Sequence, residues 1–154
     1  MKRNYKLYLS LIILILWIVF IFNNSLQVAS ISSNQSSFVK EVINLILSYL
    51  PFMDGFELSS FIIRKLAHMF EFFILALLSF NAIIQTRYYK KTYDYKIVLI
   101  QLLFCLLIAG VDETIQVFVP GRAGMFSDVL IDLSGSLIMV VLIKISYLIR
   151  GYKA

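Results

Sequence analysis

Four apolar runs, each close to the length of a membrane crossing, take up most of this 154-residue chain. The first is Leu7–Phe22 (LYLSLIILILWIVFIF), extending back to Tyr5, and the others lie at about Phe61–Ile84, Ile97–Val119 and Val129–Ile149. Crossing a hydrocarbon core takes roughly 20 residues of helix. Within lipid each backbone N–H and C=O must find its partner inside the segment, and a continuous apolar run does so as an α-helix. The 60% hydrophobic content is well above that of an ordinary soluble domain. Four spans with short connections use up the chain. Residues 1–154 are therefore expected to form a single all-α membrane domain, a bundle of four transmembrane helices at about 5–22, 61–84, 97–119 and 129–149, with no room for a second catalytic domain.

The net charge of +5 could point to nucleic acid, but the Lys and Arg residues flank apolar segments rather than forming a polar face of their own. They read better as topology signals, and no nucleic-acid partner is expected. With the N-terminus inside, ten of the fourteen Lys and Arg fall on the cytoplasmic side, leaving Lys40, Arg64, Lys65 and Arg122 outside. Eight of the nine acids also fall outside, Asp94 being the exception. The basic bias sets the orientation, and both termini are expected in the cytoplasm of a bacterial cell. Met1-Lys2-Arg3 and the first run could instead be a cleaved signal peptide, although sixteen apolar residues exceed the usual ~7–15 of such a segment. The lone Cys105 lies in an apolar run and offers neither an intrachain disulfide nor a thiolate metal cluster.

A polar stretch, Asn23–Ser37, separates the first span from FVKEVINLILSYL at 38–50. Lys40, Glu41, Asn44 and Ser48 would form one narrow polar stripe on a helix too short to cross, so residues 38–50 are expected to lie flat at the outer interface as an amphipathic cap. A short span or a buried hairpin is the alternative. Pro51 would stop this helix, and Asp54-Gly55-Phe56-Glu57 reads as the start signal of the next.

The spans carry charges that cost roughly 2.5–3.5 kcal/mol each at a helix centre. Arg64, His68 and Glu71 lie at i, i+4 and i+7, on one helical face, with Lys65 about 100° away. Asp112 and Gln116 make an i, i+4 pair beside Glu113. Asp128, Asp132 and Gly135 repeat the first spacing, and Gly135 with Ser136 would let another helix approach closely. Pro120-Gly121-Arg122-Ala123-Gly124 is a tight turn that would hold Arg122 over the mouth of the cluster. Ser127 or Asp128 would cap the last span. All three stripes fall at the outer ends of their spans and could meet in one layer.

The stretches RKLAHMFEFFILALL (64–78) and DETIQVFVPGRAGMFSDVLIDLSG (112–135) resemble the VanZ-like family, small bacterial membrane proteins named for a factor linked to teicoplanin resistance. The resemblance covers spans two to four. Its motif positions fall at Arg64, Lys65, His68, Glu71, Asp112, Glu113, Gln116, Pro120, Gly121, Arg122, Asp128, Asp132 and Gly135. Phe72 stands where a Tyr is common, which removes a hydroxyl. Met139 stands where a second glycine would complete G-x-x-x-G, which puts tight packing along span four in question. The resemblance implies a role in the cell envelope and in susceptibility to teicoplanin-like glycopeptides.

Three functions fit these residues. In the first, Arg64, Lys65 and Arg122 form a cationic rim that engages a phosphate or carboxylate, while Glu113, Gln116, Asp128 and Asp132 orient those cations and accept hydrogen bonds. The partner would be an anionic membrane lipid or a lipid-linked envelope precursor, its acyl chain lying between helices. In the second, His68, Glu71 and Asp112 are catalytic, with His68 as acid or base in a hydrolase or transferase acting on an envelope lipid. A divalent metal on His68, Glu71, Asp112 and Asp132 is a variant of this reading. No recognised spacing such as H-E-x-x-H occurs, so no metal site is assigned. In the third, the charges form a structural network that fixes helix packing or serves partner binding. The sequence names neither a cofactor nor an oligomeric state. The topology has a direct test: a single cysteine at Ser33 should be labelled from outside intact cells and one at Tyr89 should not, and external labelling at 89 would overturn the orientation.

Overall fold

The computed structural model describes residues 2–49, 58–86 and 95–149. Five helices follow one another: α1 (Lys2–Ser25), α2 (Ala29–Ser48), α3 (Ser60–Ile84), α4 (Tyr95–Val117) and α5 (Phe126–Ile149). Four of them, α1, α3, α4 and α5, are long and apolar enough to cross a membrane, as the runs predicted. The chain is an all-α membrane protein. The four crossing helices alternate in direction, because Asn81 at the end of α3 bonds to Ser10 early in α1, while Asn24 at the end of α1 bonds to Glu71 early in α3.

The largest departure from expectation is α2. It is a 20-residue helix beginning at Ala29 rather than a 13-residue one beginning at Phe38. The segment ASISSNQSS looks like a linker because Ser and Asn favour caps and turns over helix interiors. Here Ser36 returns its hydroxyl to the Ser32 carbonyl, 2.8 Å away, satisfying the side chain without breaking the helix. Farther along, Phe38, Leu45 and Ile46 stay exposed in the isolated chain, which gives α2 the apolar surface of an interfacial helix. The Pro51 stop and the Asp54–Glu57 start signal lie outside the described residues. α3 starts after an N-cap at Ser59, whose side chain accepts from the Ile62 N–H.

The core gathers Leu14 and Ile21 of α1, Phe72, Leu75 and Ala76 of α3, Cys105, Ile108 and Ala109 of α4, and Val129 of α5. Most other large apolar side chains, such as Ile12, Leu16, Leu103, Leu107 and Val141, point outward, as a lipid-facing belt must. α3 and α5 run side by side in the same direction, and Gly135 lies directly against the α3 backbone at Met69. A β-carbon there would collide with the Met69 carbonyl and lie 2.8 Å from its carbon. One residue on, the Ser136 hydroxyl reaches the Phe72 carbonyl at 3.3 Å. Met139 packs against the core as a partly buried filler, so close contact is set at Gly135 and Ser136 without a second glycine. Replacing Gly135 by Leu should cost ~1–3 kcal/mol or more, by overpacking, and lower the melting temperature in detergent. Gly110→Ala, where nothing lies within 4 Å of the added carbon, should be neutral or stabilising by roughly 0.5–1 kcal/mol.

Candidate functional site

At one end of the bundle α1 and α4 finish while α3 and α5 begin, and the polar stripes meet there. Asp112, in the last turns of α4, is fully buried. Its Oδ1 accepts from the Ser25 hydroxyl at 2.6 Å, and its Oδ2 accepts from Gln116 Nε2 at 3.0 Å. Gln116 also donates to Glu113 Oε1 at 3.2 Å. The other oxygen of Glu113 accepts the Met125 N–H at 2.9 Å, which ties the start of α5 back to α4. Gly124 permits that closure, since a β-carbon there would lie 2.6 Å from the Glu113 carbonyl oxygen.

The turn between α4 and α5 is built as its residues suggest. Pro120 and Gly121 occupy its two central positions, Gly121 has φ 77°, and the Arg122 N–H bonds to the Val119 carbonyl at 3.1 Å. Arg122 turns inward and donates from Nη1 to the Ser25 carbonyl at 3.4 Å. Burial, together with the neighbouring Arg64 guanidinium, holds Arg122 below the usual arginine range, although it remains cationic at neutral pH. The α5 cap differs from expectation: the helix starts at Phe126, so Asp128 sits in its first turn instead of at the cap. From there Asp128 forms an ion pair with Lys65 and accepts from the Ser127 hydroxyl. Lys65 is thus committed to a protein carboxylate. Arg64 makes no ion pair among the described residues and stacks over Phe61 at 5.8 Å.

His68 bridges the stripes. Its Nδ1 lies 3.6 Å from Asp132 Oδ1 and 4.0 Å from Asp112 Oδ2, outside hydrogen-bond reach of both. Asp132 is fully buried. Neither of its oxygens has a hydrogen-bond partner, and neither do His68 Nδ1, Glu71 Oε2 and Arg122 Nε. Glu71 is held on its other oxygen by Asn24 Nδ2 at 2.7 Å. Of the residues grouped as catalytic from sequence, His68 faces Asp112, together with Asp132, and Glu71 is anchored to α1.

Two cavities open beside these residues. One, of ≈ 200 Å³, lies beneath α2 and is lined by Ser32, Gln35, Ser36, Asn24 and Glu71. The other, of ≈ 230 Å³, lies beside the turn, with Lys65, Gln116, Gly121 and Asp128 in its wall. Arg64, His68 and Arg122 line both, forming the partition between them. Asn24, Ser25 and the first turns of α2 belong to the site without having been singled out from sequence. The signal for Asn24 and Ser25 was their position: polar residues ending an apolar span at the level of the other stripes.

The chain matches the VanZ/LLP1 family over residues 10–148, nearly its whole length, and belongs to it. The match includes α1 and α2, so the helices that contribute Asn24, Ser25 and the roof of the first cavity are part of the family's domain along with the motif-bearing spans. No curated protein and no solved structure matches the chain. The Asp112 network makes a measurable demand. Ser25→Ala leaves Asp112 Oδ1 without its partner and should destabilise by about 1–3 kcal/mol in detergent melts, whereas Ser33→Ala, at an exposed position, should not.

Proposed function

We propose that this VanZ/LLP1 family protein binds the anionic head group of a membrane lipid or lipid-linked cell-wall precursor, and that it thereby alters susceptibility to teicoplanin-like glycopeptides. The observation that carries the reading is the Arg64–Arg122 pair. Two guanidinium groups stand between two cavities, the charge of Arg64 acting on Arg122, and Arg122 keeps a buried Nε with no partner. Guanidinium groups with donors left open suit the planar, two-point recognition of phosphate or carboxylate. Asn24, Gln35 and Ser36 supply neutral donors and acceptors for sugar hydroxyls or amides around the same space.

The basic bias of the flanking segments supports an orientation in which this end of the bundle meets the outer face of a bacterial cell membrane. An apolar crevice of ≈ 350 Å³ between α1, α3 and α4, lined by Leu7, Leu11, Ile83 and Phe104, opens nearer the opposite end. Lys65, paired with Asp128, acts as a positioning residue for the rim instead of a direct anion contact.

Native mass spectrometry of the purified protein should find an anionic lipid or precursor bound. Arg122→Ala and Arg64→Ala should each lose most of it while keeping helical content and monodispersity, and Lys65→Ala should retain the larger share. A well-folded wild type carrying no such lipid, or retention in both arginine variants, would count against the proposal.

A further inference from the structure

We infer that His68, Asp112 and Asp132 form a binding site for a single divalent transition-metal ion. The three ligand-bearing atoms come from α3, α4 and α5 and lie within 4.8 Å of one another. The His68 Nδ1 distances of 3.6 Å to Asp132 and 4.0 Å to Asp112 are close to the edge of a coordination tetrahedron, about 3.4 Å for metal–ligand bonds near 2.1 Å. Small side-chain movements would close the difference.

The second, independent observation is Asp132. It is fully buried, and both carboxylate oxygens lack a hydrogen-bond partner while Oδ1 points at His68. A carboxylate taken out of water without compensation is costly, so its position calls for a cation. The surrounding charge points the same way. Glu71, Asp112, Glu113 and Asp128 act electrostatically on Asp132, and this crowding of carboxylates around one histidine favours a cation there.

Asp112 has the support expected of a ligand. Ser25 and Gln116 hold its two oxygens and so fix the orientation of the carboxylate. One imidazole nitrogen with two carboxylates favours a borderline ion such as Zn²⁺ or Co²⁺ over Ca²⁺, which prefers oxygen donors throughout. Three protein ligands leave coordination positions open. His68 lines both cavities, so a water or an anionic oxygen could fill such a position from either side. The site uses residues other than the arginine pair, and its presence or absence is read without reference to lipid binding.

His68 is the sole histidine of the chain, which gives a direct readout. Full-length protein purified without a polyhistidine tag, labelled with ¹⁵N-histidine and stripped with EDTA, should show one imidazole whose nitrogen resonances move on adding one equivalent of Zn²⁺ and stay in place with Mg²⁺. Co²⁺ should give visible ligand-field bands at one equivalent and be displaced by Zn²⁺. Asp132→Asn, which keeps the side-chain shape, should weaken uptake roughly tenfold or more, whereas Glu41→Gln on the exposed part of α2 should not. Imidazole resonances that ignore Zn²⁺ in folded wild type would overturn the inference, as would wild-type uptake by folded Asp132→Asn. If Asp132→Asn does not fold, the wild-type imidazole response alone decides.

Discussion

A carboxylate removed from water costs several kcal/mol unless partners compensate it, and Asp112 is placed where no water reaches. Its compensation comes from two directions. Ser25 brings the end of α1 to it, and Gln116, one turn later on α4, closes the other oxygen. Gln116 also holds Glu113, which in turn takes the Met125 N–H and sets where α5 begins. The register of three helices at this end thus follows from satisfying one buried acid. Gly135 completes the arrangement by letting α5 come into contact with α3, which puts Asp132 within 3.6 Å of His68.

How much of this was legible in the sequence differs between elements. The four crossing helices were, because a run of about 20 apolar residues has few alternatives in lipid. The stripes on α3, α4 and α5 were, because i, i+4, i+7 spacing fixes which side chains share a face. What spacing cannot encode is which face meets which. Lys65, assigned to the rim with the arginines, pairs with Asp128 across the α3–α5 contact. Glu71, grouped with His68 and Asp112 from sequence, is held by Asn24 on α1. The linker reading of residues 29–37 failed for another reason: Ser and Asn have low intrinsic helix preference, and there the gain from roofing a polar cavity outweighs that local preference.

α2 also explains how so polar a layer coexists with so apolar a chain. Ala29 at its start meets the α4–α5 turn, where its N–H lies 3.5 Å from the Pro120 carbonyl and its β-carbon leaves 3.0 Å to one built on Gly121. Asn44 near its end accepts the Leu58 N–H ahead of α3. Fastened at both ends, the helix presents Ser32, Gln35, Ser36 and Val39 to the cavity and keeps Phe38 and Leu45 exposed. The result is a polar compartment with protein on its sides and an amphipathic lid above.

The distribution of satisfied and unsatisfied atoms within that compartment separates structure from function. A charge network kept only for packing is expected to close on itself, since each buried atom left open weakens the fold it serves. The outer members here do close: Lys65 with Asp128, Glu113 with Gln116 and Met125, Asp112 with Ser25 and Gln116. The inner ones do not. His68 Nδ1, Glu71 Oε2, Arg122 Nε and both oxygens of Asp132 are buried and open, and Arg64, His68 and Arg122 divide the two cavities. The closed ring holds the helices in place, and the open centre has the hydrogen-bonding capacity that the proposed ligands would use. A purely structural account explains the ring and leaves the centre as an unrecovered cost, which is the physical reason to prefer a bound ligand there.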